Sequence, residues 1–290
     1  MAKAKMVKTE DEILPSFYLD PLTDFGFKKI FLNKELLIAF LNDLLCVHIK
    51  DIQYQPTEGL GDRAEYRRVI FDLFCTTESG EYFIVEMQVG RQTFFADRAL
   101  FYASHAIRKQ APRKKYWNYE LKAVYVVAIL DFITFKEESV KNTVIEQVYL
   151  YREHGGKQFS DKLNLIFIEL PKFTKQANEL QTNTDKWLYL LKHLSTLESP
   201  PYIEGNIFKR FLEVAQVRNL TPTEMETYTR TLKRDYGVRD IVSYAKRETR
   251  DEERIQFAVK LLKRKTPVAE IVELTELTTA QIQDMLKNLQ

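Results

Sequence analysis

Residues 67–89 read RRVIFDLFCTTESGEYFIVEMQV, in which two apolar runs flank a short turn signal. Runs of this length, rich in β-branched and aromatic residues, predict two antiparallel strands joined by a tight turn. Three polar residues, Asp72, Glu86 and Gln88, interrupt the apolar pattern. A charged group inside an apolar strand costs free energy unless a partner compensates it. The hairpin therefore contains the first candidate functional residues of the chain.

The length of the turn decides whether these residues face each other. A three-residue loop, Glu78-Ser79-Gly80, has glycine at the third position, where the backbone must be left-handed. This loop sets Asp72 opposite Glu86, so both side chains point to one side of the sheet. Gln88 shares that side because successive side chains of a strand alternate. A two-residue loop would turn Glu86 to the other face, so a shared site requires the three-residue loop.

Asp72 and Glu86 are candidate metal ligands. Two carboxylates that converge on one spot repel each other, and a bound divalent cation relieves the repulsion. The other interpretation is an exposed acidic pair on an edge hairpin. The neighbours predicted on the same face, Ile70, Phe74 and Ile84, are apolar and favour a buried site.

An aspartate, a hairpin and a Glu-x-Gln motif together resemble the core of the PD-(D/E)XK nucleases, with Gln88 where most members have lysine. The segment DPLTDFGFKKIF, residues 20–31, is similar to the start of a subgroup called recombination-promoting nucleases, also described as PD-(D/E)XK-family transposases. Arg98 and Tyr102, on the helix predicted after the hairpin, add to the resemblance. It covers residues 20–129 well and the remainder more loosely.

The resemblance implies a restriction-endonuclease-like α/β fold, with a mixed sheet flanked by helices and an all-helical C-terminal region. It also implies hydrolysis of DNA phosphodiester bonds with Mg²⁺ or Mn²⁺, in a role that promotes recombination or transposition-like events. Asp72 and Glu86 then hold the metal, and Gln88 positions the attacking water. Because glutamine carries no charge, the alternative is a catalytically lapsed member that acts as a DNA-binding or protein-interaction module.

Further candidate residues lie on the helices predicted before and after the hairpin. Asp24 is a third candidate metal ligand by the resemblance, or a first-turn acidic residue stabilised by the helix dipole. Lys28 lies one turn later and could pair with Asp24 or contact a phosphate. Arg98, with Tyr102 one turn further on, could bind the scissile phosphate or pair with Glu86.

Several helix ends can be predicted from local signals. Asp20 or Thr23 is expected to cap the first helix, and Asn33 the second. The helix after the hairpin is predicted over residues 94–110, before Pro112.

The apolar pattern divides the chain into four parts. These are a flexible arm at 1–16, a nuclease-like domain at 17–171, a helical region at 172–254 and a helix-turn-helix-like tail at 255–290. Leu121–Leu130 is valine-rich, as expected of a central strand buried on both faces. After Pro171 the apolar residues recur at helical spacing, and Gly237 is predicted to separate two helices.

The tail reads as two short helices. Thr266 is predicted to cap the first, with Pro267 at its first position, and Thr278 and Gln281 form a capping box for the second. Few positive charges lie on the second helix, so a packing or dimerisation module is favoured over a reader of DNA sequence. A homodimer suits a double-strand cut, which needs two active sites or two binding events.

Composition is that of an ordinary globular protein, with 45% hydrophobic and 29% charged residues among 290. The net charge of +2 gives no global attraction to DNA, so binding depends on local patches. The basic residues between Arg108 and Lys115, followed by Tyr116-Trp117, are either such a patch or a solvated loop.

Cellular location and redox state are also expectations from composition. Cys46 and Cys75 lie in apolar patterns and are predicted to be buried, reduced thiols. The N-terminus has no apolar leader, and no apolar run approaches the ~18 residues of a membrane span. A cytoplasmic protein without a membrane partner is therefore expected.

Overall fold

A computed structural model describes residues 16–59, 69–90, 94–111 and 117–288. The predicted arm, except for Ser16, lies outside the described residues, as do residues 112–116 of the basic cluster. The chain divides into two compact units, residues 1–232 and 233–290.

The described strands of the first unit form a six-stranded mixed sheet and a small two-stranded one. In chain order they are β1 (Ile52–Tyr54), β2 (Glu58–Gly59), β3 (Val69–Ile70), β4 (Leu73–Thr77), β5 (Tyr82–Gln88), β6 (Val124–Leu130), β7 (Ile145–Tyr151) and β8 (Gln158–Glu169). The large sheet has the order β1-β4-β5-β6-β8-β7, and β2 pairs with β3. Strands β5, β6 and β8 are parallel, whereas β1, β4 and β7 pair in antiparallel fashion.

Helices cover both faces of the large sheet. In chain order, the described helices of the two units are α1 (Asp24–Phe31), α2 (Lys34–Leu45), α3 (Phe95–Lys109), α4 (Asn183–His193), α5 (Asn206–Val214), α6 (Pro222–Lys263), α7 (Val268–Thr275) and α8 (Thr279–Asn288). Helices α1, α2, α4 and α5 share one hydrophobic core with the sheet, and α3 packs on the opposite face. The predicted fold class, a mixed sheet flanked by helices and followed by helices, is confirmed.

Strand β6 shows why the valine-rich run is needed. Val127 and Ile129 are buried in the core beneath α1 and α2, whereas Val126 and Ala128 are buried in the core beneath α3. A strand covered on both faces has no solvent side, so its sequence lacks alternation. The prediction of a central strand is confirmed.

Helices α4 and α5 belong to the same core as the sheet. Trp187 of α4 packs against Phe31 and Phe40, with ring centroids 6.4 and 5.7 Å away. Its indole N–H donates to the Asp43 carboxylate at 2.8 Å. The helices that follow residue 171 complete the core of the first unit. The division of the chain at residue 171 therefore stays a prediction.

The second unit has a core of its own. The end of α6 packs with α7 and α8 through Ala258, Leu261, Leu262, Ile271, Leu277 and Ile282. Thr278 and Gln281 form the predicted capping box, with the Thr278 N–H donating to the glutamine oxygen at 2.9 Å. Glu276, in the left-handed conformation at φ 52°, takes the place of a turn glycine. The Arg254 guanidinium donates to its carboxylate at 3.1 Å and to the Thr275 carbonyl at 2.6 Å.

Three predictions about local structure are wrong. Gly237 does not separate two helices but lies inside the 42-residue helix α6. An internal glycine destabilises a helix by about 1 kcal/mol relative to alanine, which is too little to break α6. Pro267, not Thr266, is the N-cap of α7, because its extended ψ of 139° delays the helix by one residue. Cys46 is exposed, since it forms the left-handed C-cap of α2, whereas Cys75 is buried as expected.

Within the described residues, every helix is too short or too polar to cross a lipid bilayer.

Candidate active site

The hairpin of β4 and β5 has the predicted three-residue loop. Gly80 occupies its third position with φ +93°, a conformation that glycine adopts without strain. Leu73 pairs with Val85 across the strands. In this register Asp72, which lies one residue before β4, faces Glu86, as the sequence predicts.

The two carboxylates are each held by main-chain donors. The Asp72 N–H donates to Oε1 of Glu86 at 3.0 Å, and the Met87 N–H donates to Oδ2 of Asp72 at 2.8 Å. Glu86 is almost completely buried, with 2% of its surface exposed. Because the donors belong to the backbone, the carboxylates are positioned before any ligand arrives.

The apolar surroundings of the pair differ from the prediction at one residue. Ile70 is exposed, because it belongs to β3. The chain bends at Asp72, and Phe71 is buried on the α3 face instead, with its ring centroid 5.0 Å from that of Tyr102. Phe74 and Ile84 are buried on this face as predicted.

The surroundings of Glu86, which is buried, and of Asp72, which is partly buried, compensate the negative charge of the two carboxylates only in part. The pKa of Glu86 is raised to about 8, first by burial and then by the charge of Asp72, although Arg98 and Lys28 oppose the rise. Burial also raises the pKa of Asp72; Lys28 and Arg98 oppose this rise, whereas the charge of Asp24 adds to it. A strongly perturbed, buried carboxylate with a second one beside it is typical of a functional site.

Helix α3 brings Arg98 to the end of β5. Its Nη1 donates to Oε1 of Gln88 at 2.9 Å, and its Nε donates to the Tyr102 hydroxyl at 2.6 Å. Its Nη2 lies 3.5 Å from Oε2 of Glu86. This position is compatible with both expectations for Arg98, namely phosphate binding and an ion pair with Glu86. The guanidinium contacts the Glu86 carboxylate and stays partly exposed.

The segment before α1 fixes the direction of that helix. Thr23 caps α1 by accepting the Gly26 N–H at 3.1 Å, and Asp20 accepts the Leu22 N–H at 2.8 Å. The Asp20 carbonyl lies so close to Gly26 that an added Cβ there would be 2.0 Å from its oxygen. Aspartate, threonine and glycine in this motif therefore have structural roles.

Asp24 and Lys28 lie one turn apart on α1 and form an ion pair of 2.7 Å. The charge of Lys28 acts on Asp72 and Glu86, and that of Asp24 acts on Asp72. The structure thus brings the sequence-predicted site residues into one region, namely Asp24, Lys28, Asp72, Glu86, Gln88, Arg98 and Tyr102.

Sequence reasoning missed a second buried carboxylate at the same edge of the sheet. Glu169 ends β8 and pairs in the sheet with Leu130, which in turn pairs with Gln88. Its carboxylate accepts the N–H groups of Thr134 and Phe135, the latter at 3.0 Å, and forms an ion pair with Lys172. The signal was present, since Glu169 interrupts an apolar run as Glu86 does.

The donor set fits a Mg²⁺ site that takes few ligands from protein. No cluster of three or more His, Cys, Asp or Glu side chains suited to a metal occurs among the described residues. Mg²⁺ does not need one, because it accepts one or two carboxylates and completes its octahedron with water and substrate phosphate. The incompletely compensated charge of Asp72 and Glu86 is what a divalent cation would neutralise.

A mixed sheet with paired carboxylates across a hairpin, and a basic residue on the following helix, defines a restriction-endonuclease-like protein. Comparison with family models gives the more specific result. The model described as PD-(D/E)XK nuclease family transposase matches residues 21–245, and the chain belongs to this family. The match supports a nuclease-type function. Searches of curated proteins and of solved structures gave no significant match.

Proposed function

We propose that this protein is a Mg²⁺-dependent DNA endonuclease that promotes recombination or transposition-like events. The observation that carries the proposal is the pair of carboxylates, Glu86 buried and Asp72 partly buried, which the main chain holds face to face beside Arg98. Membership in a nuclease family of transposases supports it.

Asp72 and Glu86 would hold the metal, with the main-chain carbonyl of Met87 or its neighbour as a further ligand by family analogy. The charge of Asp24 acts on Asp72. To serve as a third ligand, the Asp24 carboxylate would have to leave its ion pair with Lys28. When bound, Mg²⁺ or Mn²⁺ would stabilise charge on the phosphorane-like transition state and on the leaving oxygen, and would activate water.

The remaining residues of the site would bind and orient the DNA. Arg98 offers a planar set of N–H donors that matches phosphate oxygens. Tyr102 accepts the Nε hydrogen of Arg98 and so fixes the plane of the guanidinium. Lys28, which is partly exposed on α1, would contact a neighbouring phosphate. Gln88 borders the same spot beside Arg98.

Nicking of supercoiled plasmid DNA with Mg²⁺ or Mn²⁺ tests the proposal. Wild type should nick the plasmid, and Asp72→Ala should not. Asp161→Ala removes an exposed carboxylate from β8 of the same sheet and should leave nicking unchanged. Equal nicking by wild type and Asp72→Ala would overturn the assignment of the site.

A catalytically lapsed nuclease is the second candidate function. The specific observation in its favour is Gln88, which cannot supply the charge that lysine would. Titration with Mn²⁺ separates the two candidates. Protein that binds DNA but takes up no Mn²⁺ at millimolar concentration would be a binding module.

A homodimer formed through the second unit would bring two nuclease sites together. Large apolar side chains remain exposed there, including Phe257 at 46% and Leu274 at 54%. Light scattering at micromolar concentration should give twice the mass of the chain, and Leu274→Ser should lower it. A wild-type monomer that still makes double-strand cuts would contradict this assembly.

A further inference from the structure

Gln88 directs its side-chain oxygen at Arg98. Its Oε1 accepts a hydrogen bond from Nη1 at 2.9 Å, and its Nε2 donates to the Val89 carbonyl at 3.3 Å. Both polar atoms of the amide thus have protein partners. This arrangement suits a residue that holds another side chain better than one that orients a water molecule.

Three of the described residues contact the Arg98 guanidinium. Gln88 and Tyr102 accept its hydrogens at 2.9 and 2.6 Å, and Glu86 lies 3.5 Å from Nη2. The Arg98 side chain is nevertheless 32% exposed, so the guanidinium borders the open side of the site. A long side chain fixed in this way loses little further freedom when it binds a ligand.

The chemistry of position 88 determines what can stand beside Arg98. A glutamine oxygen accepts hydrogen bonds and attracts the guanidinium, whereas an ammonium group is only a donor and would repel it. Glutamine is therefore suited to a site whose positive charge comes from α3.

We infer that Gln88 is a positioning residue, whose amide oxygen aligns Arg98 to bind a phosphate oxygen of the DNA. The inference rests on the proposed nuclease function and replaces a water-positioning role for Gln88. It makes Arg98 the residue that contacts substrate and Gln88 the residue that acts through it.

Substitutions at the two positions test this assignment by plasmid nicking. Gln88→Met keeps the volume and removes the acceptor, so it should lower the rate about 10- to 100-fold, as loss of a supporting contact commonly does. Arg98→Ala should lower the rate at least as much, and the double variant should be no worse than Arg98→Ala. Gln88→Lys should be no better than Gln88→Met. Losses that multiply, or a Gln88→Lys enzyme faster than wild type, would overturn the inference.

Chemical rescue provides a readout that a merely structural glutamine would not influence. Millimolar guanidinium should restore nicking several-fold in Arg98→Ala, because the Gln88 oxygen can hold the free ion. It should not restore the double variant. Equal rescue of both variants contradicts a positioning role. Gln53→Met and Gln53→Lys, at an exposed glutamine of β1, are matched controls and should behave as wild type.

DNA binding without turnover keeps this inference separate from the proposed function. Fluorescence anisotropy with Ca²⁺ in place of Mg²⁺ should show that Gln88→Met and Arg98→Ala weaken binding to a similar extent, without further loss in the double variant. Absence of nicking by wild type would defeat the endonuclease proposal alone. Additive losses of binding would defeat the Gln88 assignment alone.

Discussion

Two glutamates are buried on neighbouring parts of the same sheet, and their surroundings differ. Glu169 is fully buried, receives two main-chain N–H groups and contacts the ammonium group of Lys172 at 2.5 Å. Glu86 is also buried, but the described residues give it one main-chain N–H and a longer contact to Arg98. It also has a second carboxylate beside it.

A nearby counter-charge separates a structural carboxylate from a functional one. Glu169 has a buried counter-charge, the ammonium group of Lys172, and therefore needs no ligand to neutralise it. Its carboxylate anchors the loop after β6 through the N–H groups of Thr134 and Phe135. The charge of Glu86 is compensated only in part, so its ionised form costs stability unless a ligand supplies positive charge. In the sequence both glutamates look alike, since each interrupts an apolar strand.

The largest expected effect is on folding. Glu169→Gln leaves the Lys172 ammonium buried without its counter-charge, so the free energy of unfolding should fall by about 3–5 kcal/mol. Urea denaturation measures it. Glu138→Gln is the matched control, because Glu138 pairs with Lys141 at the same spacing but on the surface. A loss below about 1 kcal/mol for Glu169→Gln would show that the two glutamates do not differ as described.

Glu86→Gln should have the opposite profile. The rate of cleavage should fall by more than about 100-fold, because the substitution removes a proposed metal ligand itself. Loss of a residue that only supports a ligand commonly costs about 10- to 100-fold. The folded protein should be as stable as wild type, or more stable above pH 8, because an unfavourable buried charge is removed. Destabilisation comparable to that of Glu169→Gln would assign Glu86 to the structural class.

The pH dependence of stability is a further expected difference between the two glutamates. The pKa of Glu86 is about 8 in the folded protein and near 4.5 when unfolded, so the folded state binds the extra proton between these values. In EDTA, the free energy of unfolding should therefore fall as pH rises from 4.5 to 8, by about 1 kcal/mol per pH unit. Glu86→Gln should flatten this slope. An unchanged slope in the variant would mean that other groups cause it.

Local rules explain what the sequence could predict. The three-residue loop with Gly80 fixed the strand register, and hence the facing of Asp72 and Glu86, without knowledge of the rest of the chain. Helix caps at Thr23 and Asn33 follow from side chains that accept nearby N–H groups. These features depend on residues a few positions apart, so they can be predicted from the local sequence alone.

Features that depend on distant residues could not be predicted in this way. Gly237 satisfies the local signal for a break, yet the helix continues through it. The role of Glu169 depends on Lys172 and on a loop that precedes it by more than thirty positions. Whether a buried carboxylate is compensated is therefore a property of the tertiary structure.

The smallest expected change in stability concerns the exposed ion pair of Asp24 and Lys28. A surface pair at this helical spacing contributes below about 0.5 kcal/mol, so Lys28→Ala should scarcely alter the free energy of unfolding. Lys34→Ala is a matched control, since Lys34 forms an equally short and exposed pair with Asp51.

The two lysines should differ in DNA binding, because the charge of Lys28 acts on the site carboxylates Asp72 and Glu86. Lys28→Ala should weaken DNA binding in Ca²⁺ and lower the slope of log K against log salt by about 1, the signature of one lost phosphate contact. Lys34→Ala should leave both quantities unchanged. If the two variants bind DNA equally well, the ion pair on α1 belongs with Glu169 among the structural charges, and the substrate contacts must be sought around Arg98.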